Sequence, residues 1–190
     1  MHARDYSVVV CVYTEDRWDQ ICAAVQSVRL QSRPAAEIIM VVDYNRPLYD
    51  RLVAAMPDVT VVENTAAKGL SGARNTGVAR ARGEIIAFLD DDATADQDWL
   101  KFFDDAYANP AIVGVGGLTL PDWQTARPWW MPEEFYWVVG CNYLGMPPSM
   151  EPVRNLLGGN MSFRRGVFDL VDGFQSGIGR TAHKRPLGCE

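Results

Sequence analysis

An α/β fold, with a Rossmann-like and mostly parallel sheet flanked by helices, is predicted by three features of the sequence. Apolar, β-branched runs recur at residues 6–12, 37–42 and 59–62, and stretches with helical spacing separate them. A fourth run, residues 85–89, carries no charge at all, which suits a strand buried on both faces. That run stops abruptly at Asp90, Asp91 and Asp92. Ligands of open α/β sheets bind at this C-terminal edge, and adjacent carboxylates there repel one another unless positive charge shares their space.

In chain order, residues 6–12 read as a central parallel strand. It breaks at Tyr13-Thr14-Glu15-Asp16, whose polar side chains project from the same edge as the aspartates. A helix follows, with Ile21, Val25 and Val28 forming one apolar stripe, and Ser32-Arg33-Pro34 ends it. The second strand, 37–42, is again followed by an acid, Asp43. A short helix near 48–56 leads to the third strand, 59–62. This alternation closes naturally as a right-handed, Rossmann-like half.

Residues 68–77 are rich in glycine and lead into a helix expected to end near Arg82, with Gly83 as its C-cap. Gly69, Gly72 and Gly77 do not fit G-x-G-x-x-G, and the stretch lacks the Lys-Ser/Thr of a P-loop. Arg74 lies in the first turns of that helix, where an arginine can hold a diphosphate; the plainer reading is a solvated helix charge. For the aspartate triplet, hard oxygen donors favour magnesium, manganese or calcium. The plainer reading there is that Asp96 or Asp98 caps the helix opening at Trp99, with no metal involved.

That helix, 98–107, turns Leu100, Phe103 and Tyr107 inward and closes at Pro110. Residues 113–120 read as a strand whose glycines mark a bulge or a close approach. Six of the 11 prolines and four of the six tryptophans then fall in 121–152, so this stretch is an irregular loop of the kind that carries function. Its aromatic rings suit a saccharide face or a lipid groove, and equally suit the cover of a core. Val167, Phe168, Leu170 and Val171 suggest a short helix turned by Asp172-Gly173. Residues 177–188 read as a loop in which Arg180, Lys184 and Arg185 are available to meet phosphate.

With 190 residues, 48% of them hydrophobic, the chain is sized for a single domain over 1–190. A net charge of -6 with no basic stripe excludes a nucleic-acid surface. Cys11, Cys22, Cys141 and Cys189 are scattered, as in reduced cytoplasmic proteins. Residues 7–12 are too short for the apolar region of a secretion signal, and no run approaches the roughly 20 residues that span a bilayer. The expected location is cytoplasmic, with peripheral association at the inner face of a membrane left open.

The chain resembles the family 2 glycosyltransferases, inverting enzymes of the GT-A fold that use a nucleotide-diphospho-sugar. The resemblance is carried by residues 8–13, by 38–43, by Gly69 with Ala73-Arg74-Asn75-Thr76-Gly77, and by 83–92. Gly158-Gly159-Asn160-Met161-Ser162-Phe163-Arg164-Arg165 and the terminal Gly188-Cys189-Glu190 extend it over nearly the whole chain. The resemblance implies that Asp90 and Asp92 hold a divalent cation, Mn²⁺ or Mg²⁺, with Asp92 the closer ligand, and that Asp91 faces the donor ribose. It places Tyr13, Glu15, Asp43 and Arg74 around the donor nucleotide, and Gly159 and Asn160 on the acceptor side. Residues 1–95 would then bind the nucleotide-sugar and 96–190 the acceptor, a saccharide or a lipid-linked saccharide. Glu190 stands where the family has its base, in an acidic doublet of which only one member is present, so the chain reads as a truncated portion of a longer enzyme. The second strand ends in Asp43-Tyr44 rather than the family's pair of acids, which leaves the nucleotide open. Asn160-Met161-Ser162 also matches a glycosylation acceptor, discounted without a secretion signal.

Two rivals stand beside this. Asp90-Asp91-Asp92-Ala93-Thr94 fits the D-x-D-x-T of a haloacid dehalogenase-type phosphatase with Asp90 as nucleophile, but three strands precede it where that family has none. Lys184 and Glu133-Glu134 are poor candidates for that family's remaining groups. The other rival is a non-catalytic nucleotide-sugar-binding module.

Overall fold

The computed structural model describes residues 4–176. Strands β1 (Tyr6–Val12), β2 (Glu37–Val42), β3 (Thr60–Glu63), β4 (Ile85–Asp90), β5 (Gly114–Gly116) and β6 (Asn160–Arg164) form one six-stranded sheet in the order β3-β2-β1-β4-β6-β5. The pairs among β1 to β4 are parallel, whereas β6 runs antiparallel to β4 and β5 antiparallel to β6. Helices α1 (Trp18–Arg29), α2 (Arg46–Ala55), α3 (Leu70–Arg80) and α4 (Trp99–Ala106) connect them.

The alternation of side chains along each strand splits the core in two. Val8, Val10, Val12, Met40, Val42, Ala87 and Leu89 face α1, α2 and α4, meeting Ile21, Val25, Leu48, Leu52, Leu100 and Phe103. Val9, Ile39, Val41, Ile86 and Phe88 face the other way, towards Ala73 of α3 and Met161 of β6. With each full burial of such a side chain contributing about 1.5–3 kcal/mol, the central strands have no solvent-facing side to offer, as their unbroken apolar runs require.

The chain steps from β1 outward to β2 and β3, then returns across β1 to place β4 on its other side. That reversal is a topological switch point, and it leaves a crevice beyond the C-terminal ends of β1 and β4. Register brings the two ends level, Cys11 lying opposite Asp90. Helix α3 is able to sit close to the sheet because its buried residues, Arg74 apart, are small: Gly72, Ala73, Thr76 and Gly77. A Cβ on Gly77 would lie 2.5 Å from Val9 Cγ1, so only glycine fits. Here is the reason for a glycine spacing that matches neither nucleotide motif.

Several boundaries differ from expectation. Helix α3 stops at Arg80, and its cap is Ala81 in extended conformation rather than Gly83. Gly83 instead lets the chain pass β1, since a Cβ there would stand 2.7 Å from Asp5 O and from Ser7 N. The strand expected over 113–120 shrinks to Gly114–Gly116, because the Leu118 carbonyl accepts a bond from the Asn160 amide instead of a ladder partner. The short helix after β6 is a 3-10 turn, Arg165–Asp169. Within 121–152, a 3-10 turn at Glu133–Val139 gathers Met131, Tyr136 and Cys141, with Trp123 against them, into a small separate core. Trp129 stays 94% exposed and Trp130 65%, so these two rings are largely open to solvent and belong to no core.

At the opposite edge of the sheet, Glu37 pins three segments together. Its Oε1 accepts from the Ser7 hydroxyl and from the Arg82 amide, each at 2.7 Å, and Ser7 Oγ accepts from Gly83 N at 2.8 Å. Burial pushes the Glu37 carboxyl upward, but these donors and the Arg82 guanidinium outweigh it and hold the group below its ordinary value. A depressed carboxyl stabilises the fold above the unfolded-state pKa of about 4.3, and that contribution is lost as pH falls through the folded value. Glu37→Gln is expected to cost about 1–2 kcal/mol in urea unfolding at pH 7, with the gap to wild type closing as the pH is brought below about 4. A gap that stayed constant with pH would contradict this role.

Candidate active site

Strand β1 ends at Val12, and the chain turns at once into a 3-10 turn, Glu15–Arg17, whose cap is the Thr14 hydroxyl accepting from Asp16 N at 3.2 Å. This turn aims Arg17 back across the crevice. Its Nη1 donates to Asp91 Oδ1 at 2.7 Å and lies 3.0 Å from Asp92 Oδ2. The guanidinium also lies 5.4 Å from the ring centroid of Tyr13. Asp91 is the most enclosed of the triplet, at 4% exposure, and its Oδ2 is buried without a hydrogen-bond partner. Burial pushes its carboxyl up, the bond and charge of Arg17 pull it down, and the net direction is upward.

Asp90 terminates β4 and stands 3.8 Å from Arg74 Nη2. Arg74 is only 4% exposed, donates through Nη2 to the Gly158 carbonyl at 2.9 Å, and lies over the Phe174 ring at 5.4 Å. The solvated helix charge is thereby excluded. Gly159 completes this corner, because a Cβ there would collide with Asp90 Oδ2. Gly159 is what lets the backbone run against this carboxylate.

The other expected residues are placed less directly. Asp43 accepts from Asn64 Nδ2 at 2.7 Å and from Gly69 N at 3.0 Å, so its carboxylate holds the loop that enters α3. Glu15 points towards Arg51 at 3.8 Å, and Tyr13 is about half exposed beside Arg17. Asn160 has its amide fully engaged, accepting from Trp99 Nε1 at 2.8 Å and donating to the Leu118 carbonyl and to Thr119 Oγ1. It joins α4 to β6 and the segment after β5, and at 9% exposure it is no accessible glycosylation acceptor. Asp96 accepts from Asp98 N at 2.9 Å, whereas Asp98, the residue before α4, makes no side-chain cap bond. Glu190, Arg180, Lys184 and Arg185 lie outside the described residues.

Arg17 escaped the sequence reading. Its one signal is position: in Thr14-Glu15-Asp16-Arg17 it is the first basic side chain after β1, at an edge otherwise lined by acids. The 2.9 Å bond from Thr76 to Asn64 was likewise not read, since nothing in their spacing marks a contact between the end of β3 and α3.

Among the described residues no three His, Cys, Asp or Glu side chains form a ready cage for a metal. The donor set nevertheless fits a hard divalent ion of the kind that takes one or two carboxylates and completes its shell with substrate phosphates. Asp90 and Asp92 are each nearly half exposed, at 46% and 44%, on the same edge. The orphaned Asp91 Oδ2 adds unmet negative charge between them.

The family model described as glycosyl transferase family 2 matches residues 7–171. The chain belongs to that family. It is 41% identical over 182 residues to a glucosyl-dolichyl phosphate glucuronosyltransferase of Haloferax volcanii, covering 94% of this chain and 58% of the relative. It is 36% identical over 99 residues to the succinoglycan biosynthesis protein ExoO of Rhizobium meliloti, covering 51% of this chain and 28% of that protein. Among solved structures, a mannosyltransferase of Pyrobaculum calidifontis in complex with GDP-Man and Mn²⁺ superposes with a TM-score of 0.68 at 22% identity, over 94% of this chain and 50% of that one. TarS of S. aureus superposes at 0.64 and 18% identity, over 94% and 52%. The family 2 chain thus has the GT-A fold, and it spans little more than half the length of the glucuronosyltransferase. Nothing among these relatives supports the phosphatase reading of Asp90, which is set aside.

Arg74 is a sensitive point of this corner. Arg74→Met would strand the Gly158 carbonyl and remove the cation beside Asp90, at an expected cost of about 2 kcal/mol in urea unfolding at pH 7. Arg80→Met, at the exposed end of the same helix, is expected to change stability by less than about 0.5 kcal/mol. Equal effects of the two would contradict a buried, bonded Arg74.

Proposed function

We propose that this chain acts as an inverting glycosyltransferase, moving a sugar from a nucleotide-diphospho-sugar to an acceptor hydroxyl with the help of a divalent cation. The observation that carries the reading is the acidic triplet at the switch point between β1 and β4, with Arg17 and Arg74 set on either side of it. Family membership supports it, as does the complex of the mannosyltransferase of the same fold with GDP-Man and Mn²⁺.

In this reading Asp90 and Asp92 hold the cation, Mn²⁺ or Mg²⁺, which when bound supplies positive charge to the departing diphosphate. Arg74, already buried and bonded, adds a fixed cation that needs no reorganisation as the leaving group gains charge. Tyr13, Glu15 and Asp43 border the nucleotide, with Asp91 towards the ribose. The Gly158-Gly159 backbone sets the sugar side of the crevice, with Gly159 running against Asp90. Residues 1–95 serve the donor and 96–190 the acceptor. The acceptor hydroxyl gives up its proton to a carboxylate, for which Glu190 is the candidate.

For the acceptor we infer a lipid-linked saccharide, in keeping with the dolichyl phosphate in the name of the Haloferax relative and with the exposed Trp129 and Trp130. No helix among the described residues is long and apolar enough to cross a membrane. Work at the inner face of a membrane, by peripheral contact, is the location that fits.

Calorimetric titration with UDP and with GDP, each with Mn²⁺ or with chelator, tests the donor site. One of the two is expected to bind only with Mn²⁺ and to lose at least tenfold in affinity in Asp92→Ala. Undiminished binding in chelator would contradict the reading.

A further inference from the structure

Arg17 holds Asp92, one of the two carboxylates assigned to the ion. A single nitrogen, Nη1, lies 2.7 Å from Asp91 Oδ1 and 3.0 Å from Asp92 Oδ2, bridging two carboxylates of different exposure. A Mg²⁺-sized ion sits about 2.0–2.1 Å from its oxygens, so it and that nitrogen cannot share the gap. An ion taking Asp92 Oδ2 therefore requires the guanidinium to give up that oxygen.

The guanidinium is able to leave. Arg17 closes a three-residue 3-10 turn, its side chain is 34% exposed, and beyond the two carboxylates it rests on the half-exposed ring of Tyr13. What keeps it in place is Asp91, whose carboxylate is buried with its second oxygen unpartnered. Losing Arg17 without a replacement would leave that charge enclosed and bare, an expensive state. A divalent ion alone must outbid a cation tethered to the chain at high local concentration. An ion arriving with a diphosphate brings further oxygen ligands, and the diphosphate at once offers the displaced guanidinium a bidentate partner.

We propose that Arg17 is an internal counter-cation of the acidic triplet, displaced from Asp91 and Asp92 to the diphosphate when ion and donor load, so that each is held poorly without the other. The proposal deepens the donor-site reading and rests on it. By linkage the coupling is reciprocal: whatever the diphosphate adds to ion affinity, the ion adds to diphosphate affinity.

The test is a Mn²⁺ titration of the whole chain, read as free Mn²⁺ by electron paramagnetic resonance, for wild type, Arg17→Met and Arg17→Gln, without nucleotide and with whichever of UDP or GDP binds. Wild type is expected to bind Mn²⁺ weakly alone and at least tenfold more tightly with the nucleotide. Both variants should bind Mn²⁺ alone at least tenfold more tightly than wild type, and the nucleotide should add less than it does in wild type. Unchanged affinity for Mn²⁺ alone, beside a wild type that does respond to nucleotide, overturns the role of Arg17 and spares the donor site. Absence of any Mn²⁺ binding by wild type with nucleotide overturns the site itself. Thermal melting in chelator and in Mn²⁺ is the companion measurement: the variants should melt lower in chelator and recover with Mn²⁺, whereas variants that remain unfolded with Mn²⁺ present overturn the proposal in favour of a structural Arg17.

Discussion

Negative charge crowded at one end of the strand β4 is the constraint to which the surroundings answer. Asp90, Asp91 and Asp92 follow one another where the buried strand meets the crevice, and two guanidiniums reach them from different directions, Arg17 from the turn after β1 and Arg74 from α3. Within the triplet the strain is visible at Asp91, whose Oδ2 is buried without a hydrogen-bond partner among the described residues. At separations of about 3–4 Å even a well-screened protein edge makes such charges interact by several kcal/mol, enough to dictate how neighbouring segments are arranged.

The fold supplies the rigidity this needs. Strands β1 and β4 are parallel neighbours with their ends in register, so the Arg17 turn and the aspartates open onto one crevice. Close packing of α3, made feasible by Gly77, brings Arg74 down to the sheet, and the Gly158-Gly159 backbone closes the far side against Asp90. Asn160 then locks that backbone through Trp99 and the segment after β5. A residue that looked suited to meeting substrate thus has its amide spent on holding the frame in which substrate contacts are made.

Periodicity made the parallel half legible, because strands buried on both faces must be continuous and apolar, and the runs at Tyr6–Val12, Glu37–Val42 and 85–89 are. The same signal failed for β6, where Asn160 and Ser162 are buried polar groups satisfied by partners far away in sequence. It overran β5, where a side-chain amide captures the carbonyl that a ladder would have used. At the site, the aspartates were legible because clustered like charge is conspicuous. The arginine that answers them was not, since one basic residue in a polar turn has no pattern until the sheet order brings β1 beside β4. Arg74 was legible as a candidate, but its burial came from Gly158 and Phe174, both distant in the chain.

Whether this edge grips a cation which in turn grips a diphosphate is addressed most directly by diffraction at the manganese absorption edge, from crystals grown with Mn²⁺ and the nucleoside diphosphate that binds. One anomalous peak is predicted in coordination range of the Asp92 carboxylate, beside Asp90 and against the diphosphate oxygens. A diphosphate bound in the crevice with no peak at these aspartates, and with Arg17 still seated between Asp91 and Asp92, would contradict it.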